Sequence, residues 1–213
     1  DYAGTVTIPY TCYNSSGSGS GGELAITVLD LEAKPFFDMG GSYFWADSAV
    51  AYLYQRGIVT GAGNNMFHPG SRMTRGDFML MVCKAFGFEE TGHSNFSDVV
   101  PGSYYYNAIS AAKLLGIAQG SGGMFYPAGE ITRQDAAVII TRALNAAGLY
   151  LQSGSSGDLS SFSDAASVSD YAVQAMASLV RTGILVGSGN KLNPKGVMSR
   201  AEMSVILYRV LTM

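Results

Sequence analysis

The tetrapeptide Thr74-Arg75-Gly76-Asp77 returns twice, as Thr132-Arg133-Gln134-Asp135 and as Ser199-Arg200-Ala201-Glu202. Its surroundings return with it. A proline stands five residues upstream each time, at Pro69, Pro127 and Pro194. Farther back lies a Gly-Ile-x-x-Gly step, from Gly57 to Gly61, Gly116 to Gly120 and Gly183 to Gly187. Each unit opens on Phe-x-Asp, at Phe36–Asp38, Phe96–Asp98 and Phe162–Asp164. Self-similarity at a period of about 50 to 60 residues marks a repeat architecture, in which one unit cannot bury its own apolar face.

The tetrapeptide reads as a helix start. Thr74, Thr132 and Ser199 are N-cap residues, and Asp77, Asp135 and Glu202 three positions later complete a capping-box pattern, with Asp a shorter reach than Glu. Counted from the arginine, apolar residues recur at plus 3, 6, 7, 10 and 11. These are Phe78, Met81, Val82, Ala85 and Phe86, then Ala136, Ile139, Ile140, Ala143 and Leu144, then Met203, Ile206, Leu207, Val210 and Leu211. That is one broad stripe at helical period. A first helix precedes it, over about Tyr43–Arg56 in repeat one, with the column Ala49, Val50, Leu53 and Tyr54. The matching columns are Ala108, Ile109, Ala112 and Lys113, then Ala175, Met176, Leu179 and Val180, broken only by Lys113. Gly57, Gly116 and Gly183 stand where a left-handed residue ends the helix and tucks the next Ile onto its last turn. The fold class is therefore mostly α. Three helix-loop-helix units are expected to bring their second helices together around a pseudo-threefold axis.

Residues 1–34 differ. Thr5–Ile8 and Leu24–Leu29 are strand-like, separated by the Ser/Gly connector Asn14–Gly22, and form an N-terminal extension that pairs with itself or belongs to an upstream domain. The expected division is 1–34, repeat one over 35–91, repeat two over 92–150, a linker at 151–161 and repeat three over 162–213. The linker is a soft spot that lets repeat three swing round to pack on repeat one. The start at Asp1 reads as a processed product or an excised piece of something longer.

Of 213 residues, 47% are hydrophobic and only 14% charged, with a formal net charge of -3. That charge provides no general attraction to nucleic acid or to an anionic membrane, so an anionic partner must be held by local arginines. No 18-residue apolar run predicts membrane insertion. Cys12 and Cys83 do not make a disulfide framework and read as unrelated thiols. His68 and His93 lie at non-equivalent positions without metal-ligand spacing, and no Gly-x-Ser-x-Gly elbow occurs. No catalytic residue, cofactor or metal is expected.

Arg75, Arg133 and Arg200 are the anomaly. A cation at the first helical position opposes the helix dipole by about 0.3–1 kcal/mol. Its compensation is either a carboxylate (Asp38, Asp98, Asp164 or a neighbouring repeat's acid) or a bound anion facing the guanidinium fork. The Phe-x-Asp aspartates are expected to cap the first helices or their approach. An aromatic recurs at Trp45, Tyr104 and Tyr171, suited to closing the core or to stacking on a sugar ring. The loops from Gly61, Gly120 and Gly187 are turns whose bare backbone can offer N–H groups, and they are not phosphate loops, since no Gly-Lys-Ser/Thr follows.

With Phe67-His68-Pro69, Phe125-Tyr126-Pro127 and Leu192-Asn193-Pro194 added, the ordered motifs resemble the S-layer homology domain family, in a triple array from about Phe36 to Met213 at the C-terminal end of a bacterial cell-surface protein. The resemblance implies a three-pronged spindle around a central three-helix bundle. It implies non-covalent anchoring of exported proteins to secondary cell-wall polysaccharide, often acidic or pyruvylated, in grooves between adjacent repeats. Carried over, the groove residues are Arg75, Arg133 and Arg200; Asp38, Asp98 and Asp164; Trp45, Tyr104 and Tyr171; and Gly61, Gly120 and Gly187. The chain departs from the family pattern where Tyr104 and Tyr171 replace Trp and Leu192 replaces Phe, which marks some grooves as degenerate or tuned to another glycan. A protein–protein module that self-associates in a surface lattice is the competing reading.

Overall fold

The computed structural model describes residues 4–13, 16, 18–28, 35–89 and 94–213. Among the described residues six α-helices fall two to a repeat: α1 (Asp47–Gln55) and α2 (Arg75–Phe86), α3 (Tyr106–Leu114) and α4 (Arg133–Ala146), α5 (Asp170–Arg181) and α6 (Arg200–Leu211). A 3-10 turn, Gly41–Ala46, leads into α1, so the first α-helix starts at Asp47, later than the expected Tyr43. The second helices start where expected. Thr74, Thr132 and Ser199 each accept the backbone N–H of the acid three residues on. Only Glu202 reaches back to its N-cap N–H, as the longer acid should. Gly57, Gly116 and Gly183 take φ values of 69°, 71° and 74°, and Ile58, Ile117 and Ile184 behind them are buried.

The packed helix pairs do not lie within repeats. α1 lies on α6, α3 on α2 and α5 on α4. Each prong is therefore a second helix clothed by the first helix of the following repeat, with repeat one following repeat three. Tyr52 meets Tyr208 edge-on at 5.1 Å across the α1–α6 pair. The buried Cys83 thiol, its pKa pushed up to about 12 by burial, donates to the carbonyl of Ala108 across the α2–α3 pair. Lys113, the break in the apolar column, runs its ammonium out to the Asn95 carbonyl and over the Phe96 ring. The common centre expected for the three stripes is thus shared: α2 packs against both α4 and α6, and each stripe also receives a foreign first helix.

At the centre, three backbone hydrogen bonds close on themselves. Met73 N–H donates to Met198 O at 2.8 Å, Met198 N–H to Ile131 O at 3.1 Å, and Ile131 N–H to Met73 O at 3.0 Å. All three residues are buried, so each N–H left unpaired costs about 1–3 kcal/mol. The exchange continues into the helices. The first two N–H groups of α2 donate to Gly129 O and Pro127 O, those of α4 to Gly196 O and Pro194 O, and those of α6 to Ser71 O and Pro69 O. Donors that a helix N-terminus cannot satisfy itself are satisfied by the next repeat.

The segment 151–161 is not a loose linker. Gly154 N–H donates to Ser178 Oγ, a capping box of Ser155 and Asp158 starts the turn Ser156–Leu159, and Leu159 is buried against α5. A Cβ at Gly154 would overlap the α5 backbone at Ala177, which explains a glycine that read as mere softness. The N-terminal strands do pair, β1 (Gly4–Tyr13) antiparallel to β2 (Gly19–Val28), and both run beyond the stretches expected. Four residues of the Ser/Gly connector belong to β2, because the Tyr13 and Tyr10 rings lie over Gly19 and Gly22 opposite them. The end of the second expected strand, Leu29, lies outside the described residues. Among the described residues no helix is long and apolar enough to cross a membrane.

Cyclic closure makes the array one cooperative unit. The full chain is expected to melt in a single transition by circular dichroism. A chain ending at residue 150 loses α5, α6 and one member of the central ring, and is expected to show no cooperative melt. A sharp transition in that shorter chain would show that two repeats suffice.

Candidate functional site

Site construction begins at the loops before the second helices. Asp38 accepts the N–H groups of Phe67 and His68, Asp98 those of Phe125 and Tyr126, and Asp164 those of Leu192 and Asn193, all at 2.7–2.8 Å. The residue before each proline is left-handed, with φ of 56° at His68, 60° at Tyr126 and 51° at Asn193. A paired carboxylate holding two successive N–H groups fixes this uncommon conformation. These aspartates therefore do not have the capping role expected of them. The caps of α1, α3 and α5 fall at Ala46, Tyr105 and Ser169, without side-chain capping bonds.

At two of the three junctions the arginine of the preceding repeat takes the carbonyl of the pinned residue. Arg75 Nε donates to Phe125 O at 3.0 Å, and Arg200 Nε to Phe67 O at 2.9 Å. Their guanidiniums stand over the same Phe rings, 5.0 and 4.5 Å from the centroids. Arg200 and Arg133 also donate Nη2 to the carbonyls of Thr60 and Val186, one residue before Gly61 and Gly187. The aspartate and the arginine thus communicate through one peptide residue rather than by contact. The ion pairs run instead to the next repeat's capping acid: Arg75 to Asp135 at 3.8 Å and Arg133 to Glu202 at 3.6 Å. The dipole-opposed cation is explained, because its charge leaves its own helix and meets the neighbour's acid and carbonyls.

Each groove draws on all three repeats, not on two. One, about 590 Å³, combines Arg133, the loop Val186–Asn193 with α6, and Trp45. A second, about 290 Å³, combines Arg75, the loop at Gly120 with α4, and Tyr171. At the third junction Arg200 reaches the loop of repeat one, and Tyr104 of repeat two lies on Asp77 of α2. Asp38, Asp98 and Asp164 stand behind the loops and hold them. A Cβ at Gly61, Gly120 or Gly187 would strike the ring of Phe36, Phe96 or Phe162, so these glycines are demanded by the packing behind them.

The aromatics are exposed, and they differ. Tyr104 donates its phenol to Asp77 at 2.5 Å and Tyr171 to Asp135 at 2.6 Å; burial and these carboxylates raise each phenol's pKa to about 12. Gln134, buried where the other repeats have Gly76 and Ala201, donates to the Tyr171 oxygen and ties it further. Trp45 has no such reach and donates to Ser42 O. Sequence reasoning missed the second role of Asp77, Asp135 and Glu202, because a capping acid already had a sufficient reason to be there. It also missed Gln134, whose signal is its place at a position otherwise occupied by Gly or Ala.

The family model for the S-layer homology domain matches residues 35–79, 95–137 and 161–204, more than half of the chain. The chain belongs to the S-layer homology domain family. It is 34% identical over 169 residues to the exoglucanase XynX of Acetivibrio thermocellus, a match covering 78% of this chain and 15% of that protein. It is likewise 34% identical over 169 residues to the amylopullulanase of Thermoanaerobacterium thermosulfurigenes, covering 78% and 9%. To the surface-layer 125 kDa protein of Lysinibacillus sphaericus it is 31% identical over 172 residues, covering 78% and 14%. The chain thus spans no more than 15% of the length of these relatives. Family membership places these S-layer homology repeats at the bacterial cell surface, as a cell-wall anchoring module and not an enzyme.

The loop-pinning aspartates carry a pH dependence. Burial acts to raise the pKa of Asp38 and Asp164, but the N–H bonds from Phe67 and His68, and from Leu192 and Asn193, outweigh it and lower both. Their stabilisation is present above the unfolded carboxyl value of about 3.9 and is lost as pH falls through the lower folded value. Urea midpoints measured between about pH 6 and 2 are expected to drop at the acid end. Asp38→Asn and Asp164→Asn, each leaving one N–H without its acceptor, are expected to cost about 1 kcal/mol each at neutral pH and to flatten the acid slope. An unchanged slope in the double variant would contradict the assignment.

Proposed function

We propose that this array anchors an exported protein to the wall by holding an acidic secondary cell-wall polysaccharide in the inter-repeat grooves. The observation that carries the proposal is the juxtaposition of a guanidinium and a flat aromatic in one open groove: Arg133 and Trp45 line the same 590 Å³ space. An aromatic face suits the apolar side of a pyranose ring, and a guanidinium fork suits the carboxylate of an acidic sugar. The net charge of -3 makes bulk attraction useless, so recognition is local. The relatives support a portable attachment role, since an exoglucanase, an amylopullulanase and a surface-layer protein share this segment while their names describe unrelated work.

Purified sacculi test the reading. The protein is expected to sediment with intact sacculi and to stay in solution once the secondary polymer is stripped. Arg75→Lys, Arg133→Lys and Arg200→Lys, which retain charge but lose the planar fork, are expected to remain folded and to bind more weakly, to unequal extents. Retention on stripped sacculi would favour the lattice reading. Undiminished binding by all three folded variants would leave the arginines as architecture alone.

A further inference from the structure

The three grooves are not equivalent, and four differences converge on one of them. Arg75 and Arg200 are well satisfied, with Nε on a carbonyl and the guanidinium over a Phe ring. At Arg133 the corresponding loop residue is Leu192, which offers no ring. The Arg133 Nε is buried and has no hydrogen-bond partner among the described residues, and its Nη1 contacts the weakly accepting Met198 sulfur at 3.6 Å. An unsatisfied guanidinium N–H in a buried setting is unusual and leaves donor capacity unused. Second, Lys191 and Arg209 line the same groove, so three cations face the single carboxylate of Glu202, whereas Arg75 and Arg142 face Asp135 in the groove of repeat two. Third, that narrower groove has Tyr171 bonded across to Asp135, and the groove at Arg200 has Tyr104 bonded to Asp77, whereas Trp45 leaves Glu202 uncrossed. Fourth, the Trp45 groove has about twice the volume, 590 against 290 Å³.

Resting on the glycan reading, we infer that the Trp45–Arg133–Glu202 groove is the principal site of this chain, taking an acidic sugar whose carboxylate meets Arg133 with Lys191 or Arg209, while phenol–carboxylate latches lie across the capping acids at the Tyr104 and Tyr171 junctions. The departures from the family pattern therefore divide into two kinds. Leu192 leaves the Arg133 guanidinium without the ring that stands beneath Arg75 and Arg200. Tyr104 and Tyr171 make grooves resistant, because entry of a sugar must first break a short charge-assisted hydrogen bond.

Trp45 is the chain's only tryptophan, so its emission reports on this groove alone. The experiment titrates the full chain with short, size-fractionated fragments of the acidic polymer released from sacculi, following calorimetry and tryptophan emission together. One fragment per chain is expected at the tight site, with the emission change and the heat sharing one midpoint. Arg133→Gln is expected to weaken that event about 10- to 100-fold, the loss of a charge-assisted pair. Fragments with their carboxylates reduced to alcohols are expected to lose a similar factor. Arg209→Gln and Lys191→Gln, on the groove wall, provide the same test if Arg133→Gln does not fold, and each is expected to weaken binding several-fold. Two or more equal sites, or saturation with Trp45 silent, would overturn the assignment of the groove while leaving the glycan reading intact. Wild-type chain that binds no fragment at all would defeat both.

Discussion

Everything in this array hangs on hydrogen bonds that no single repeat can make for itself. Met73, Ile131 and Met198 pass one backbone bond around a closed ring. The first turns of α2, α4 and α6 give their free N–H groups to the following repeat. A helix start is normally completed by its own cap and by water; in this chain a foreign loop completes it. The loop must therefore arrive in a fixed shape, which is what the Asp38, Asp98 and Asp164 carboxylates impose on the left-handed residues before the prolines. The arginine follows from the same geometry. It is the side chain nearest the junction, and it spans from one repeat's helix to the next repeat's loop. Closure and groove are one construction.

Much of this was legible in the chain, and what was hidden was hidden for a reason. Caps at Thr74, Thr132 and Ser199 and the apolar columns depend on local geometry, so spacing alone locates them. The partner of each column does not. An apolar stripe states that it must be covered, not by whom, and the cross-repeat pairing of α1 with α6, α3 with α2 and α5 with α4 cannot be read from period. The Phe-x-Asp aspartates were expected at helix caps and instead hold loop backbone about 29 residues downstream, where no local rule points. The glycines at 61, 120 and 187 suggested exposed backbone for a ligand, yet the Phe rings behind them already require the missing side chain. Gly154 illustrates the opposite error: a residue that reads as flexible is one whose backbone presses on α5.

The same distinction bears on the candidate site. Repetition invites the assumption of three equal grooves, but single residues adjust each one. A phenol reaches the capping acid where an indole cannot, and a leucine leaves a guanidinium without the ring that its counterparts enjoy. Such differences of one side chain at one position decide which groove is occupied by the protein's own atoms and which is left with unused donors. A repeat scaffold is suited to this, because each groove can be altered without disturbing the backbone exchange that holds the array together.

The central claim, that cyclic backbone exchange makes three repeats a single body, is tested most directly by native-state amide hydrogen exchange at Met73, Ile131 and Met198. These amides sit one in each repeat and donate the three hydrogen bonds of the ring. All three are expected to exchange with one common opening free energy, equal to that of global unfolding in denaturant. Faster exchange at Met198 than at Met73 and Ile131, through an opening confined to repeat three, would contradict closure and describe a chain of separable units.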